Sequence, residues 1–353
     1  MPMRIRWGML LLGLLLPGLD AARCDAAVEL FAGKQIDLIV GSGAGGGYDT
    51  YARLLARHIA RFLPGRPNIV VQNMPGAGGL RAANYLYNVA AKDGTAIGTF
   101  GHDLVLVGLL GHNSSVQFDS RKFTWLGSSS SFANDAYLLI ARPDAPVKSA
   151  EDARGPNGPP LLVGASAQGG GTSDIANLMR ETLGFNLKLI PGYPDSNAMF
   201  LALDRNEIDA RFTAISVLQL TRPQWLSPQS GMHVIVQFAR AVRHPQFPDV
   251  PTARQLARSD RDRALIELAE LPYLLDRPFV APPGVPRERA QALQQAFASV
   301  QSDPQYRDDA ARLKLDLSPI GSDEVARAIE AIGATPPATL DYMRKLLTNT
   351  GGG

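Results

Sequence analysis

Three glycine-rich segments are the residues of this sequence best suited to chemistry. They cover residues 41–49, 73–79 and 166–172. Glycine carries no side chain, so successive main-chain N–H groups can point at one bound group. Each segment also precedes a stretch with helical periodicity, and the start of a helix carries a partial positive charge. The pattern predicts that the three segments together bind a small organic anion such as a carboxylate.

Each glycine segment follows a short apolar run that is typical of a buried strand. Strand, turn and helix in that order predict an α/β fold with mostly parallel sheets and helical crossovers. The glycine turns then lie at the carboxyl ends of strands. The predicted strands are residues 36–40, 69–72, 136–141, 161–163, 187–190, 210–213, 233–238 and 278–281. Helices are predicted at 49–63, around Tyr85 and Leu86, at 173–183, and from Arg287 onward, with Asp303 capping a helix that starts at Pro304.

The order of these elements predicts two lobes joined by a hinge. Lobe one comprises residues 28–127 and 243–353, and lobe two comprises residues 128–242. The chain therefore crosses between the lobes twice. Residues 1–27 are predicted to be a signal peptide, because Arg4 and Arg6 precede an apolar run that is followed by small residues. The mature protein is accordingly expected in the periplasm.

Composition excludes several classes of partner. The 35 Lys and Arg residues nearly balance the 33 Asp and Glu residues, and the formal charge of +2 provides no field for binding nucleic acid. The five His residues have no ligand spacing, and Cys24 is the single cysteine of the sequence, so we predict no metal and no cofactor.

Two enzyme alternatives fit parts of the glycine segments. Gly41, Gly43 and Gly46 match the dinucleotide pattern G-x-G-x-x-G, but the following strand ends in Gln72 and Asn73 where an acidic residue should bind the ribose. The second alternative is an α/β hydrolase with Ser166 as nucleophile, because residues 164–168 resemble G-x-S-x-G. Gln168 replaces the second glycine of that motif, and His233 or His244 would have to be the base. We therefore predict a protein that is not an enzyme.

Asp49 has two interpretations. Its carboxylate could accept hydrogen bonds at the start of the helix, or it could contact the ligand. A second negative charge would repel an anionic ligand, so the structural role is favoured.

The same segments resemble a known family, the solute-binding receptors of tripartite tricarboxylate transporters (the Bug family). The family motif of a Gly-Gly turn followed by D-x-x-A-R is present in Gly46, Gly47, Asp49, Ala52 and Arg53. Its second motif, N-x-P-G-A-G-G, is complete in residues 73–79. Residues 92–95, 247–252 and 281–286 are similar to three further family elements, and the resemblance covers almost all of the mature chain.

The resemblance implies a two-lobed periplasmic-binding-protein fold of type II, and we expect a monomer. It also implies a carboxylate bound in the cleft between the lobes and delivery to the membrane subunits of a transporter. The ligand-binding residues carried over are Gly45, Gly46, Gly47 and Tyr48 in the first turn, Gly76, Ala77 and Gly78 in the second, Ser166, Gly170, Gly171 and Thr172 in the third, and Asp209. A sensor module of the same fold would share all these features and stays an alternative.

Two departures from the family concern the specificity of the cleft. The first turn begins Gly41-Ser42-Gly43-Ala44 where the family usually has an aromatic residue or proline. Residues 191–195 are Pro-Gly-Tyr-Pro-Asp where the family usually has Pro-Tyr-Lys-Gly, so a lysine is missing and an acid is added. Arg211 and Asn197 are candidates for contacts with the far end of the ligand.

Overall fold

The computed structural model describes residues 30–111, 114–155, 158–165, 171–194 and 196–348. The predicted signal peptide, residues 1–27, lies outside these ranges. No helix within them combines the length and the apolar character that crossing a lipid bilayer requires.

The first sheet carries two of the three glycine turns. Its strands are β1 (Gln35–Val40), β2 (Asn68–Asn73), β3 (Ala96–Thr99), β4 (Thr124–Ser128), β10 (Pro278–Ala281) and β11 (Ile320–Gly321). They lie in the order β11-β4-β10-β3-β1-β2. β1 is parallel to β2 and β3, whereas β10 is antiparallel to β3 and β4. The start of β10 therefore lies at the same edge of the sheet as the carboxyl ends of β1 and β3.

The second sheet carries the third glycine turn. It consists of β5 (Tyr137–Ala141), β6 (Leu161–Gly164), β7 (Leu187–Ile190), β8 (Ala210–Ala214) and β9 (His233–Phe238) in the order β7-β6-β8-β5-β9. β6 is parallel to β7 and β8, and β5 is antiparallel to β8 and β9. Both sheets are thus mixed, whereas the sequence predicts mostly parallel ones. β5 and β10 each follow a crossing between the sheets, so they start at the cleft edge. They therefore run opposite to the strands that end at that edge.

The helices cover both sheets. They are α1 (Gly47–Ile59), α2 (Leu80–Asn88), α3 (Asp103–Leu110), α4 (Ala150–Ala153), α5 (Gly171–Leu183), α6 (Ser196–Asp204), α7 (Ile215–Thr221), α8 (Ala253–Leu256), α9 (Asp260–Glu270), α10 (Arg287–Ser302), α11 (Pro304–Arg312), α12 (Ser322–Gly333) and α13 (Pro337–Thr348). α1 buries Leu54, Leu55 and Ile59 against the first sheet, as its apolar stripe predicts. The predicted cap of α11 is confirmed, since the Asp303 carboxylate accepts a hydrogen bond from the amide of Tyr306 at 2.9 Å.

The chain passes between the sheets in two segments. The first joins β4 to β5, close to the predicted boundary at residue 128. The second boundary is predicted at residue 243, but α8 and α9 pack on α5, a helix of lobe two. We propose that the second crossing is the 3-10 turn Leu271–Leu275 and the residues that follow it up to β10.

Candidate functional site

The first glycine turn joins β1 to α1 at the cleft edge of the first sheet. The Gly41 amide extends the ladder by donating to the carbonyl of Thr99 at 2.9 Å, and Gly46 is the N-cap of α1. The next two amides, of Gly47 and Tyr48, belong to the first turn of the helix, where N–H groups have no intrahelical acceptor. Both amides therefore lack a helical acceptor at this edge of the sheet, and their contact with a ligand stays a prediction.

Asp49 stabilises this turn from within. Its buried carboxylate accepts hydrogen bonds from the Gly45 amide at 2.8 Å, from Arg53 Nε at 2.9 Å and from Asn73 Nδ2 at 2.8 Å. Burial alone would raise the pKa of Asp49, but these three donors outweigh it and hold the pKa below its usual value. The structure supports the structural interpretation of Asp49. It also corrects two predicted amide contacts, because the Gly45 amide is bonded to Asp49 and the Gly46 amide donates to the Gly43 carbonyl at 3.4 Å.

Replacing Asp49 by asparagine is expected to lower the free energy of unfolding by about 1–3 kcal/mol, because the amide cannot satisfy three donors at once. A depressed pKa stabilises the fold above the unfolded pKa and loses that effect as pH falls through the folded pKa. The loss in D49N should therefore be constant near neutral pH and shrink below about pH 4. Urea unfolding measures it.

The matched control for D49N is Asp323→Asn, since Asp323 is an exposed acid in the first turn of α12. That variant should change the free energy of unfolding by less than about 0.5 kcal/mol. Equal effects in the two variants would show that the contacts of Asp49 do not hold the turn.

The second glycine turn joins β2 to α2 and has an unusual main-chain shape. The φ angles of Gly76, Ala77, Gly78 and Gly79 are 136°, 47°, 65° and 97°, all in the region that glycine tolerates best. Gly76, Ala77 and Gly78 are exposed. Among the described residues, no hydrogen bond uses the amide of any of these three as a donor. The turn therefore displays successive open N–H groups, as predicted.

The structure brings these two turns into contact. Asn73 Nδ2 donates to the carbonyl of Ser42 at 3.0 Å. A Cβ on Gly41 would lie 3.3 Å from the Cα of Gly79, so glycine at position 41 permits the close approach. The open amides of both turns consequently share one edge of the first sheet.

The third turn is the least described part of the site. Ser166 and Gly170 lie outside the described residues, whereas Gly171 and Thr172 form the start of α5. The first turns of α5 face those of α3 across a cavity. The residues that line it are His102, Asp103, Leu106, Val107, Asp174, Ile175, Leu178, Ala269, Pro272, Tyr273 and Met343. Elements of both lobes thus enclose this space. It lies beside the second glycine turn, because the Gly78 carbonyl would be 3.7 Å from a Cβ placed on Gly101, the residue before His102.

Asp174 is the carboxyl group on the lobe-two side of that cavity. Its Oδ1 atom is buried and has no hydrogen-bond partner among the described residues. Burial, together with the charge of Asp103, raises the pKa of Asp174 to about 7. Its side chain can therefore be uncharged near neutral pH.

A second group of polar residues, which the sequence analysis missed, lies beside the first turn. Tyr48 Oη is 3.2 Å from His102 Nδ1, which is in turn 3.2 Å from the Asp276 carboxylate. Asp276 pairs with Arg277. Burial raises the pKa of Tyr48 well above its usual value, so Tyr48 stays uncharged. A predicted contact residue, Tyr48, is thus linked to a buried ion pair just before β10.

Two candidates in the second lobe have structural partners instead. Asp209 precedes β8, at the edge of the sheet away from the third turn, where its carboxylate accepts from Arg142 Nη2 at 2.7 Å and from the Leu162 amide at 3.0 Å. The structure therefore does not bring Asp209 to the glycine turns, and it corrects that predicted contact. Arg211 is buried, with Nη1 donating to the Ser196 carbonyl at 2.6 Å and its guanidinium 3.8 Å from the Phe200 ring centroid.

The described residues do not show a catalytic arrangement for the hydrolase alternative. Ser166 lies outside them, and the two His residues considered as its base have main-chain neighbours: His233 Nε2 is 3.1 Å from the Pro143 carbonyl, and His244 Nε2 is 3.4 Å from that of Asn134. Within the described ranges, no group of three or more His, Cys, Asp or Glu side chains is arranged to hold a metal ion.

Comparison with known proteins gives consistent results. The family model described as tripartite tricarboxylate transporter family receptor matches residues 51–332. A Cupriavidus necator protein, described as "UPF0065 protein in gbd 5'region", is 25% identical over 319 residues, which is 88% of each chain. The solved structure of the periplasmic binding protein BugD has a TM-score of 0.64 at 19% identity, over 88% of this chain and 97% of BugD. MatC from Rhodopseudomonas palustris, solved with bound malate, has a TM-score of 0.62 at 20% identity, over 89% of this chain and 98% of MatC.

Proposed function

The chain belongs to the tripartite tricarboxylate transporter family of receptors, and from this premise we propose that it captures a small carboxylate between its lobes and delivers it to the membrane subunits of such a transporter. It is a solute-binding receptor and not an enzyme. We further propose that residues 1–27 direct its export, so that it acts in the periplasm.

One observation carries this proposal. The amides of Gly76, Ala77 and Gly78 are open and exposed beside the start of α1, at one edge of the first sheet. Several N–H groups with a helix N-terminus form a site for a negative group. A charge-assisted hydrogen bond contributes about 1.5–3 kcal/mol, so a few of them support micromolar binding after the entropy of association is lost. The malate bound to MatC supports a carboxylate as the negative group.

Closure of the lobes completes the proposed mechanism. A solute bound to the turns of lobe one gains further hydrogen bonds from the start of α5 only when lobe two approaches. A ligand shifts the equilibrium between open and closed states by the difference in its contacts with the two. The two segments between the sheets, after β4 and before β10, would act as the hinge.

A screen of ligands by thermal unfolding tests the proposal. Malate, adipate, citrate and benzoate are compared with malamide, the uncharged diamide of malate. We expect at least one acid to raise the melting temperature by several degrees, because a ligand at about 100 times its Kd stabilises the folded state by about 2.7 kcal/mol. Malamide should have no effect, since it lacks the charge that the amides bind. A chain that no acid stabilises, or that malamide stabilises equally, would contradict a carboxylate receptor.

A further inference from the structure

Arg277 differs from the other charged residues described around the cleft because its guanidinium is buried but only partly bonded. The side chain is 8% exposed. Nη1 donates to the carbonyl and the carboxylate of Asp276. Nε is buried without a partner, and no hydrogen bond of the described residues uses Nη2. A buried donor without an acceptor costs free energy, and its presence in a native structure requires an explanation.

The unbonded edge of Arg277 faces the first glycine turn. A Cβ at position 47 would lie 3.5 Å from Nη2 and 4.0 Å from Nε. Gly47 is exposed, and its amide is the first N–H of α1. The Nε and Nη2 donors of arginine form a planar fork that matches the two oxygens of a carboxylate. An anion bound by the Gly47 amide is therefore within reach of the fork.

The electrostatics of this position also favour an anion. A positive charge near the start of a helix is unfavourable, because the N–H groups there are themselves partly positive. Asp276 pairs with Arg277 through Nη1, which leaves the Nε and Nη2 edge without an acceptor among the described residues. The rings of Tyr48 and Tyr51, with centroids 4.8 Å and 5.2 Å from Arg277 Cζ, hold the guanidinium without accepting hydrogen bonds from it in the plane of the fork.

We propose that Arg277 determines the specificity of the cleft for charge: its Nε and Nη2 atoms bind one carboxylate of the solute, together with the amides of the first glycine turn. This inference rests on the proposed function. It adds a charged side chain to a site that the glycine turns alone would form from main-chain donors. With glycine at position 47, the space beside Nη2 that a Cβ would occupy stays open to the solute.

Calorimetric titration of malate, adipate and citrate into four proteins tests the inference. We expect Arg277→Gln to weaken binding by about 10-fold to 100-fold, the range that one hydrogen-bonded charge contributes. Arg277→Lys keeps the charge without the fork and should recover part of the loss. Arg289→Gln is the matched control, because Arg289 also pairs with an acid, Asp93, and lies over a ring, Phe31, but does so at the opposite edge of the sheet. It should bind as the wild type does.

The outcomes separate the two proposals. If wild type binds an acid and R277Q binds it equally well, the inference is overturned and the proposed function stands. If no acid binds to wild type, the proposed function fails and the inference fails with it. Should R277Q not fold, Gly47→Ala replaces it as the test, because its methyl group would enter the gap beside Nη2 while alanine favours the helix over glycine. Unweakened binding in a stable G47A would then overturn the inference.

Discussion

Replacing Gly76 by valine is expected to abolish the rise in melting temperature that a bound carboxylate produces in the wild type. Gly76 has φ 136° and ψ 138°, a conformation that a β-branched residue avoids. The space around it is adequate, since the nearest atoms to a Cβ would be those of Arg81 at 3.5 Å and 3.6 Å. Valine would therefore change the path of the main chain without disturbing the core, and the open amides of Ala77 and Gly78 would turn away from the ligand.

The control for this variant places a valine at another glycine of positive φ, away from the cleft. Gly284 has φ 83°, is exposed, and would present a Cβ with no atom within 4 Å. It lies after the carboxyl end of β10, at the edge of the first sheet opposite the cleft. Both G76V and G284V should lose about 1–3 kcal/mol of unfolding free energy from backbone strain. Only G76V should lose its response, in thermal unfolding, to the acid that stabilises the wild type. An unchanged response would remove the second turn from the site.

The elements that carry the glycine turns were accessible to sequence analysis because their signals are local. Apolar residues recur along α1 at helical spacing, and Leu54, Leu55 and Ile59 are buried as that spacing requires. The strand before each of the first two turns is also confirmed. Parallel neighbouring strands end at one edge, so the position of two turns follows once the strands are recognised.

Arg277 and His102 could not be found in that way, since their importance depends on strand direction. The apolar run at residues 278–281 predicts a strand, but it does not predict that this strand is antiparallel to β3. Only that direction places the residue before the strand, Arg277, beside Gly47 and Tyr48. A charged pair directly before an apolar run was the one available signal, and it is also common at ordinary strand ends.

Gly45 and Asp209 show the opposite failure, in which a matched motif has a tertiary partner that the sequence does not reveal. The Gly45 amide is bonded to Asp49 four residues later, and Asp209 pairs with Arg142, which follows the neighbouring strand β5. A backbone donor serves a ligand only if no side chain reaches it first. Motif matching alone therefore identifies the glycine turns but not which of their amides are open.

Asp174 is expected to make the stability of the fold depend strongly on pH. It lies in the first turn of α5, and its carboxyl group faces the cavity between the lobes. Burial and Asp103 raise its pKa to about 7. Such a carboxyl binds a proton more tightly in the folded than in the unfolded chain, so its contribution to stability is complete at low pH and is lost as pH rises through the folded pKa. Above about pH 4, each pH unit up to about 7 costs about 1.4 kcal/mol.

Replacing Asp174 by asparagine removes this dependence. Between about pH 5 and pH 8 the wild type should lose about 2–3 kcal/mol of unfolding free energy through Asp174, and D174N should not. The buried amide of asparagine lacks a partner for its own N–H groups, which costs about 1–2 kcal/mol at every pH. D174N is therefore expected to resemble the wild type near pH 5 and to be about 1–3 kcal/mol more stable near pH 8. Urea unfolding at both pH values measures the difference.

Glu270 is the control for Asp174, because it is also a buried acid with a raised pKa but has a cationic partner. Burial raises its pKa to about 7 as well, but its carboxylate pairs with Arg254 and accepts a hydrogen bond from the Ala239 amide at 2.9 Å. Neutralising it as Glu270→Gln leaves Arg254 without its buried partner, so E270Q should be less stable than the wild type near pH 8. If D174N were destabilised in the same way, Asp174 would have a cationic partner of its own. The raised pKa would then not describe an isolated acid facing the cavity.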